Sequence, residues 1–134
     1  MTKKTSEWRK YERDLVSYNY VQAGMYAEEN GNIPEAIRYF EKAAAKGSDY
    51  AWSKLGTIFD LVVNPPQHDK AVRWYKFGVR RGDSSSAWDL AMHYSALGKN
   101  RWYRHWLRVA ERMGEPGASE ELEKEEWWKK HNLR

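Results

Sequence analysis

The chain repeats one helix three times. Pro34-Glu-Ala-Ile-Arg-Tyr-Phe-Glu-Lys-Ala-Ala-Ala-Lys-Gly47, Asp69-Lys-Ala-Val-Arg-Trp-Tyr-Lys-Phe-Gly-Val-Arg-Arg-Gly82 and Arg101-Trp-Tyr-Arg-His-Trp-Leu-Arg-Val-Ala-Glu-Arg-Met-Gly114 share a pattern and each stops at glycine. The closing glycines stand at 47, 82 and 114, so they are spaced 35 and then 32 residues apart. A period of that length is one helical hairpin, and hairpins bury their apolar faces by stacking on one another. Strand signals are missing: no Val/Ile/Thr alternation is bounded by hairpin turns.

The aligned apolar positions of the repeated helix are Ala36/Ala71/Tyr103, Tyr39/Trp74/Trp106, Phe40/Tyr75/Leu107 and Ala43/Gly78/Ala110. Offsets of three and four place them on one helical face, and the small last position lets a neighbouring helix approach closely. A second segment alternates with the first. Its clear copies are Ala51-x-x-x-Leu55-Gly56-x-x-Phe59 and Ser86-x-x-x-Leu90-Ala91-x-x-Tyr94, with a looser one at Tyr18-x-x-x-Gln22-Ala23-x-x-Tyr26 and a fragment at Ala118-x-x-x-Leu122. Gly31, Gly47, Gly82, Gly98 and Gly114 read as helix stops. Asn32, with Glu35 three residues on, reads as an N-cap, and Ser48, Asp69 and Ser84 are further candidates.

This alternation resembles the tetratricopeptide repeat and its relative, the Sel-one-like repeat. Trp74-Tyr75-Lys76 and the longer connection Val62–His68 are similar to the Sel-one-like form, while the short turns at Gly31 and Gly98 are similar to the tetratricopeptide form. The resemblance implies an all-α fold, a right-handed α-α superhelix (solenoid) of about three and a half helix-turn-helix repeats with seven helices. It predicts one domain over 1–134, with repeats at about 17–47, 48–82 and 83–114 and a capping helix at 117–131. Residues 6–16 extend the first helix backward, and both ends carry the polar faces a solenoid requires.

At 134 residues the chain fits one domain. It has no cysteine, which removes disulfides, thiolate nucleophiles and Cys-ligated zinc together. No apolar run approaches the ~18 residues that span a bilayer, so no membrane contact is expected. The opening Met1-Thr-Lys-Lys has basic residues with no apolar segment behind them, unlike a secretory leader. A cytoplasmic location is expected. The net charge of +4 is too mild to demand a nucleic acid.

Catalytic constellations are not found. His68, His93, His105 and His131 have no partner at metal-ligand spacing, and no HExxH pattern or glycine-rich phosphate loop occurs. Ser84-Ser-Ser86 reads as a helix start, and the carboxylates of Glu120–Glu126, interleaved with Lys124, read as a solvated face. The expectation is a protein that is not an enzyme and needs no cofactor or metal.

Two surfaces remain. The resemblance implies that the first helix of each repeat lines a concave groove, with contacts three before and one after the small position. That assigns Tyr20, Ser53, Thr57, Trp88 and Met92, with Tyr50, Asp60 and Ser95 on the same stripe. Trp88, Tyr20, Tyr50, Ser53, Asp60 and Met92 are the expected contacts to a partner protein or peptide. A chain that is nearly all repeat acts by binding, as an adaptor, inhibitor or immunity-type protein. The alternative surface is a basic outer face of Arg73, Lys76, Arg80, Arg101, Arg104, Arg108 and Arg112, suited to nucleic acid or phosphate. Trp127-Trp128 point about 100° apart on a helix. One is expected to pack on the last repeat helix and the other to be open for self-association or a partner.

Overall fold

The computed structural model describes residues 5–131, so the basic start Met1–Lys4 lies outside the described residues. Those residues form seven α-helices and no strand: α1 (Ser6–Glu29), α2 (Ile33–Ala45), α3 (Asp49–Thr57), α4 (His68–Arg80), α5 (Ser84–Ala96), α6 (Asn100–Arg112) and α7 (Ala118–His131). The three repeated segments are α2, α4 and α6. The chain divides into two compact units, residues 1–74 and 75–134, with the division inside α4. In the first, α1 packs on α2 and α2 on α3; in the second, α5 packs on α6 and α6 on α7.

The stops follow one hydrogen-bonding scheme. Gly47 has φ +92°. That turn lets the Gly47 amide donate to Ala44 O at 2.9 Å and the Ser48 amide donate to Ala43 O at 3.1 Å. Two otherwise orphaned carbonyls are satisfied this way. The same pair of bonds recurs at Gly31, Gly82, Gly98 and Gly114, with Ala27, Gly78, Tyr94 and Ala110 as the outer acceptors. Hence the small aligned position Ala43/Gly78/Ala110 is also the point where each repeated helix closes, and all three are buried.

Several starts are capped by side chains, although α6, preceded by Lys99, is not. Asn32 Oδ1 accepts from the Glu35 amide at 3.3 Å, and Asn32 Nδ2 donates to Glu35 Oε2 at 2.7 Å, so cap and acid bind each other. Ser48 Oγ accepts from the Ala51 amide at 3.2 Å. Two expected caps lie inside their helices instead. Asp69 lies in the first turn of α4, which begins at His68. Ser84 is the first residue of α5, and Asp83 caps it by accepting from the Ser85 amide at 3.1 Å.

Core positions match the alignment in α2 to α6, apart from Tyr39, Trp74, Tyr94, Tyr103 and Trp106, which are partly buried. Ala36, Phe40, Ala43, Ala51, Leu55, Ala71, Tyr75, Ser86, Leu90, Ala91, Leu107 and Ala110 are buried. In α1 the structure corrects the register. Its buried face is Ser17, Val21, Gly24 and Ala27, whereas Tyr18 and Tyr26 are 60% and 71% exposed and Gln22 is exposed. The small face wins because α2 brings the Phe40 ring against α1 at Gly24. A second departure follows α3, which runs on into a π turn, Ile58–Val62, so the irregular connection is shorter than expected.

Tyr103, bulky where its equivalents are alanine, is partly buried against the core of the second unit. Trp127 and Trp128 are both open, at 49% and 56% exposure, contrary to the expected packing of one of them. They stack edge to face on each other at 5.2 Å, and His131 lies over Trp127 at 4.3 Å.

Candidate functional site

Helix α1 has a second apolar face. Trp8, Tyr11, Leu15 and Tyr18 recur at spacings of three and four, and their exposures are 48%, 57%, 47% and 60%. Residues so spaced line one side of a helix. Trp8 and Tyr11 stack at 5.4 Å, which organises the amino-terminal end of this stripe.

At its other end the stripe enters a groove of about 420 Å³. Helix α1 contributes Ser17, Tyr18, Val21, Gln22 and Met25, and the turn from α2 to α3 contributes Lys46 to Tyr50. The groove exists because the glycine stop at Gly47 and the Ser48 cap turn the chain sharply beside α1. Tyr50 is half-open, at 46%, with its ring 6.4 Å from the buried Phe40, so it stands against the core and presents its outer side to the groove. Lys54 binds Glu28 at 2.8 Å, both side chains about three-quarters buried, and holds α3 to the carboxy-terminal end of α1. Charges rim the groove. Asp14 is held by Lys10 at 2.8 Å, and Asp49 Oδ1 accepts from the Tyr50 amide at 3.0 Å.

Such a lining suits recognition. Tyrosine combines large apolar area with a polar tip and little rotamer entropy, and it is over-represented in binding hot spots. No histidine lines the groove, and Ser48 is engaged as a cap.

Of the expected contact residues, Tyr50 lines this groove. Tyr20 is turned toward α2, where its ring lies 6.5 Å from Tyr39 and the Lys42 ammonium stands 5.6 Å from its centroid. Ser53 is partly buried, and its carbonyl accepts from Thr57 Oγ1 at 3.1 Å. Asp60 sits in the π turn with Oδ1 3.5 Å from His68 Nδ1, a proximity the spacing of His68 did not suggest. In the second unit Trp88 and Met92 pack on the buried cluster of Ala87, Ala91, Leu107, Ala110 and Ala118. The Trp88 ring edge lies 4.0 Å from where a Cβ on Gly117 would be, so Trp88 fills the space between α5 and the start of α7. Trp8, Tyr11, Leu15 and Met25 were not among the expected contacts, and Tyr18 was read as a core position; Trp8-x-x-Tyr11-x-x-x-Leu15-x-x-Tyr18 is the signal that marks the stripe.

No family model matches the chain, nor does any curated protein or solved structure.

The basic residues are mostly open. Arg73, Lys76, Arg80, Arg101, Arg108 and Arg112 are exposed, and Arg104, partly buried, faces Glu125 at 3.9 Å. On α6, Tyr103 has a pKa raised above its ordinary value of 10.0, first by burial and then by Glu125 and Glu121 on α7. No described helix is long and apolar enough to cross a membrane.

Proposed function

We propose that the chain is a non-enzymatic interaction module of the tetratricopeptide or Sel-one-like kind, holding a protein or peptide partner. In the tetratricopeptide pattern, L-G-x-x-Y is followed by A-x-x-x-F. Leu55-Gly56-x-x-Phe59 with Ala71-x-x-x-Tyr75 follows that pattern, and all five residues are buried. Gly24-x-x-Ala27 with Ala36-x-x-x-Phe40 follows it more loosely, and its four residues are also buried. On this reading the hairpins stack as a right-handed superhelix.

The observation that carries the binding reading is the apolar stripe of α1 running into the groove at Tyr18, Met25 and Tyr50. Exposed apolar residues at helical spacing mark places where a partner docks, and an apolar groove beside a helix accommodates an amphipathic segment. The partner then gains aromatic burial on Trp8, Tyr11 and Tyr18 and polar contacts at the charged rim. An adaptor, an inhibitor or an immunity-type protein works in this way, by occupying or bridging another protein.

Affinity capture with the intact chain and with a Tyr18→Ser/Tyr50→Ser variant tests it. A partner retained by the first and lost by the second, with helix content unchanged, is the expected result. Capture that is identical for both chains would falsify the groove.

A second reading, nucleic-acid or phosphate binding through the arginines, is favoured by the exposure of Arg101, Arg108 and Arg112 along α6. Arginine forks suit phosphate. Such binding weakens steeply with salt, and Arg104→Glu/Arg108→Glu abolishes it.

A further inference from the structure

The first unit carries another groove, of about 470 Å³, between α2 and α4 with the π turn beside it. Its lining includes Phe59, Trp74, Lys70, Arg73, Glu41 and Gln67. The π turn builds one side. The Val63 amide donates to Ile58 O at 3.0 Å, five residues back, and the Gln67 amide donates to Phe59 O at 2.8 Å. Together these bonds hold Phe59 and Gln67 at the groove. π turns inside helices are frequent at functional positions.

Two cations stand at the opening. Lys70 and Arg73 are three residues apart on α4 and both exposed, and the Lys70 ammonium lies 5.3 Å from the centre of the Phe59 ring. Neither makes an ion pair among the described residues, and neither does Glu41 on the facing helix. Like charges at this helical spacing repel each other mildly, and an anion between them removes that cost. Trp74, half-buried one turn along α4, adds an indole wall.

From this set we infer that the groove binds a free nucleotide. Lys70 and Arg73 take the phosphates, the base lies against Trp74, and Glu41 and Gln67 meet the sugar hydroxyls and the base edge. Each element answers a different part of the ligand. Cations alone suit any phosphate, and an aromatic wall alone suits any flat apolar group; a nucleotide uses both, with an acceptor and an amide as well. The volume lies within the ~300–1,000 Å³ of small-ligand pockets. This site is separate from the α1 surface and does not depend on it.

Calorimetric titration of the full chain at low salt tests the assignment, with ADP as probe and adenosine and inorganic pyrophosphate as its two halves. ADP is expected to bind at least about tenfold more tightly than either half. Lys70→Ala and Arg73→Ala, both at exposed positions, each weaken ADP about tenfold and leave adenosine unchanged. Trp74→Leu weakens ADP and adenosine but not pyrophosphate. The inference is overturned if pyrophosphate binds as tightly as ADP, if ADP is indifferent to both cation substitutions, or if no binding of ADP is detected. It is equally overturned if a glutamate-rich peptide displaces ADP at matched concentration, which would make the groove an acidic-protein site.

Discussion

Gly24 lies directly against the ring of Phe40. A Cβ at Gly24 would come within 2.8 Å of Phe40 Cε1 and 2.9 Å of Cδ1. Phe40 is fully buried, so the ring has little room to withdraw. Two effects compete in Gly24→Ala. Alanine favours the helix by about 1 kcal/mol, while overpacking a core costs about 1–3 kcal/mol. The contact is with a rigid ring, so overpacking wins, and chemical denaturation should show a net loss of up to about 2 kcal/mol. In a Phe40→Leu background the obstruction is gone and the same change becomes stabilising. A loss that persists at full size in that background would show that the ring is not the cause.

That contact also explains what was legible in the sequence. The repeated helices were readable because glycine, a cap and an apolar periodicity all mark the same segment, as at Asn32, Glu35 and Gly47. The register of α1 was not, because its inner face is built of Ser17, Val21, Gly24 and Ala27, which carry little apolar signal. Tyr18 and Tyr26 attract a core assignment by size alone, although both lie on the exposed side of the helix. Trp88 was ambiguous for the converse reason: an indole serves equally as a space-filler or a contact, and only the position of Gly117 separates the two. The π turn has no marker in Ile58–Val62 that distinguishes it from an ordinary helix end.

Gly47 isolates the cost of its backbone conformation. Nothing lies within 4 Å of a Cβ built there, and φ is +92°. Gly47→Ala therefore meets no steric neighbour and loses only conformational free energy, about 1–2 kcal/mol. Gly114, with φ +88° and equally open space, belongs to the other unit. The same substitution there should cost a similar amount, and equilibrium unfolding of the two variants compares them directly.

The Asn32–Glu35 pair sets the start of α2. Asn32→Ala removes the acceptor for the Glu35 amide and the donor to its carboxylate. Losing an N-cap costs about 0.5–2 kcal/mol. Asn32→Ser keeps the acceptor but not the amide donor, so it should fall between the two in thermal melts. If Asn32→Ser is as costly as Asn32→Ala, the side-chain bond to Glu35 rather than the cap carries the effect.

Tyr103 makes stability fall at alkaline pH. Its folded pKa is raised above 10.0, so the folded state holds the phenol proton more tightly than the unfolded chain does. Stability falls with pH wherever the folded state binds more protons. The contribution is therefore whole below about pH 10 and is lost as pH rises through the folded value. Tyr103→Phe has no proton to lose. Its stability at pH 7 should be close to that of the parent, and its decline above pH 10 shallower, read from urea midpoints across that range. Lys124 shares the window, since hydrogen bonds to Glu121 and Glu120 raise its pKa as well. Part of the alkaline decline therefore remains in Tyr103→Phe.

On the proposed reading, substitutions at Trp88 and Tyr18 separate folding from binding. Trp88 is partly buried on the core of the second unit, and truncating large core aromatics costs about 3–5 kcal/mol when burial is complete. For a partly open ring, Trp88→Ala should cost about half of that, visible in the urea midpoint. Tyr18 is 60% exposed on the outer face of α1, and replacing it leaves the core intact. Tyr18→Ser should shift stability by less than about 0.5 kcal/mol, as surface changes usually do, while reducing partner retention at least about tenfold, as loss of an aromatic hot spot does. Measuring both quantities on both variants gives four numbers with a crossed pattern. Binding lost in Trp88→Ala at a temperature where that variant is folded, and kept in Tyr18→Ser, would move the recognition surface from α1 to α5.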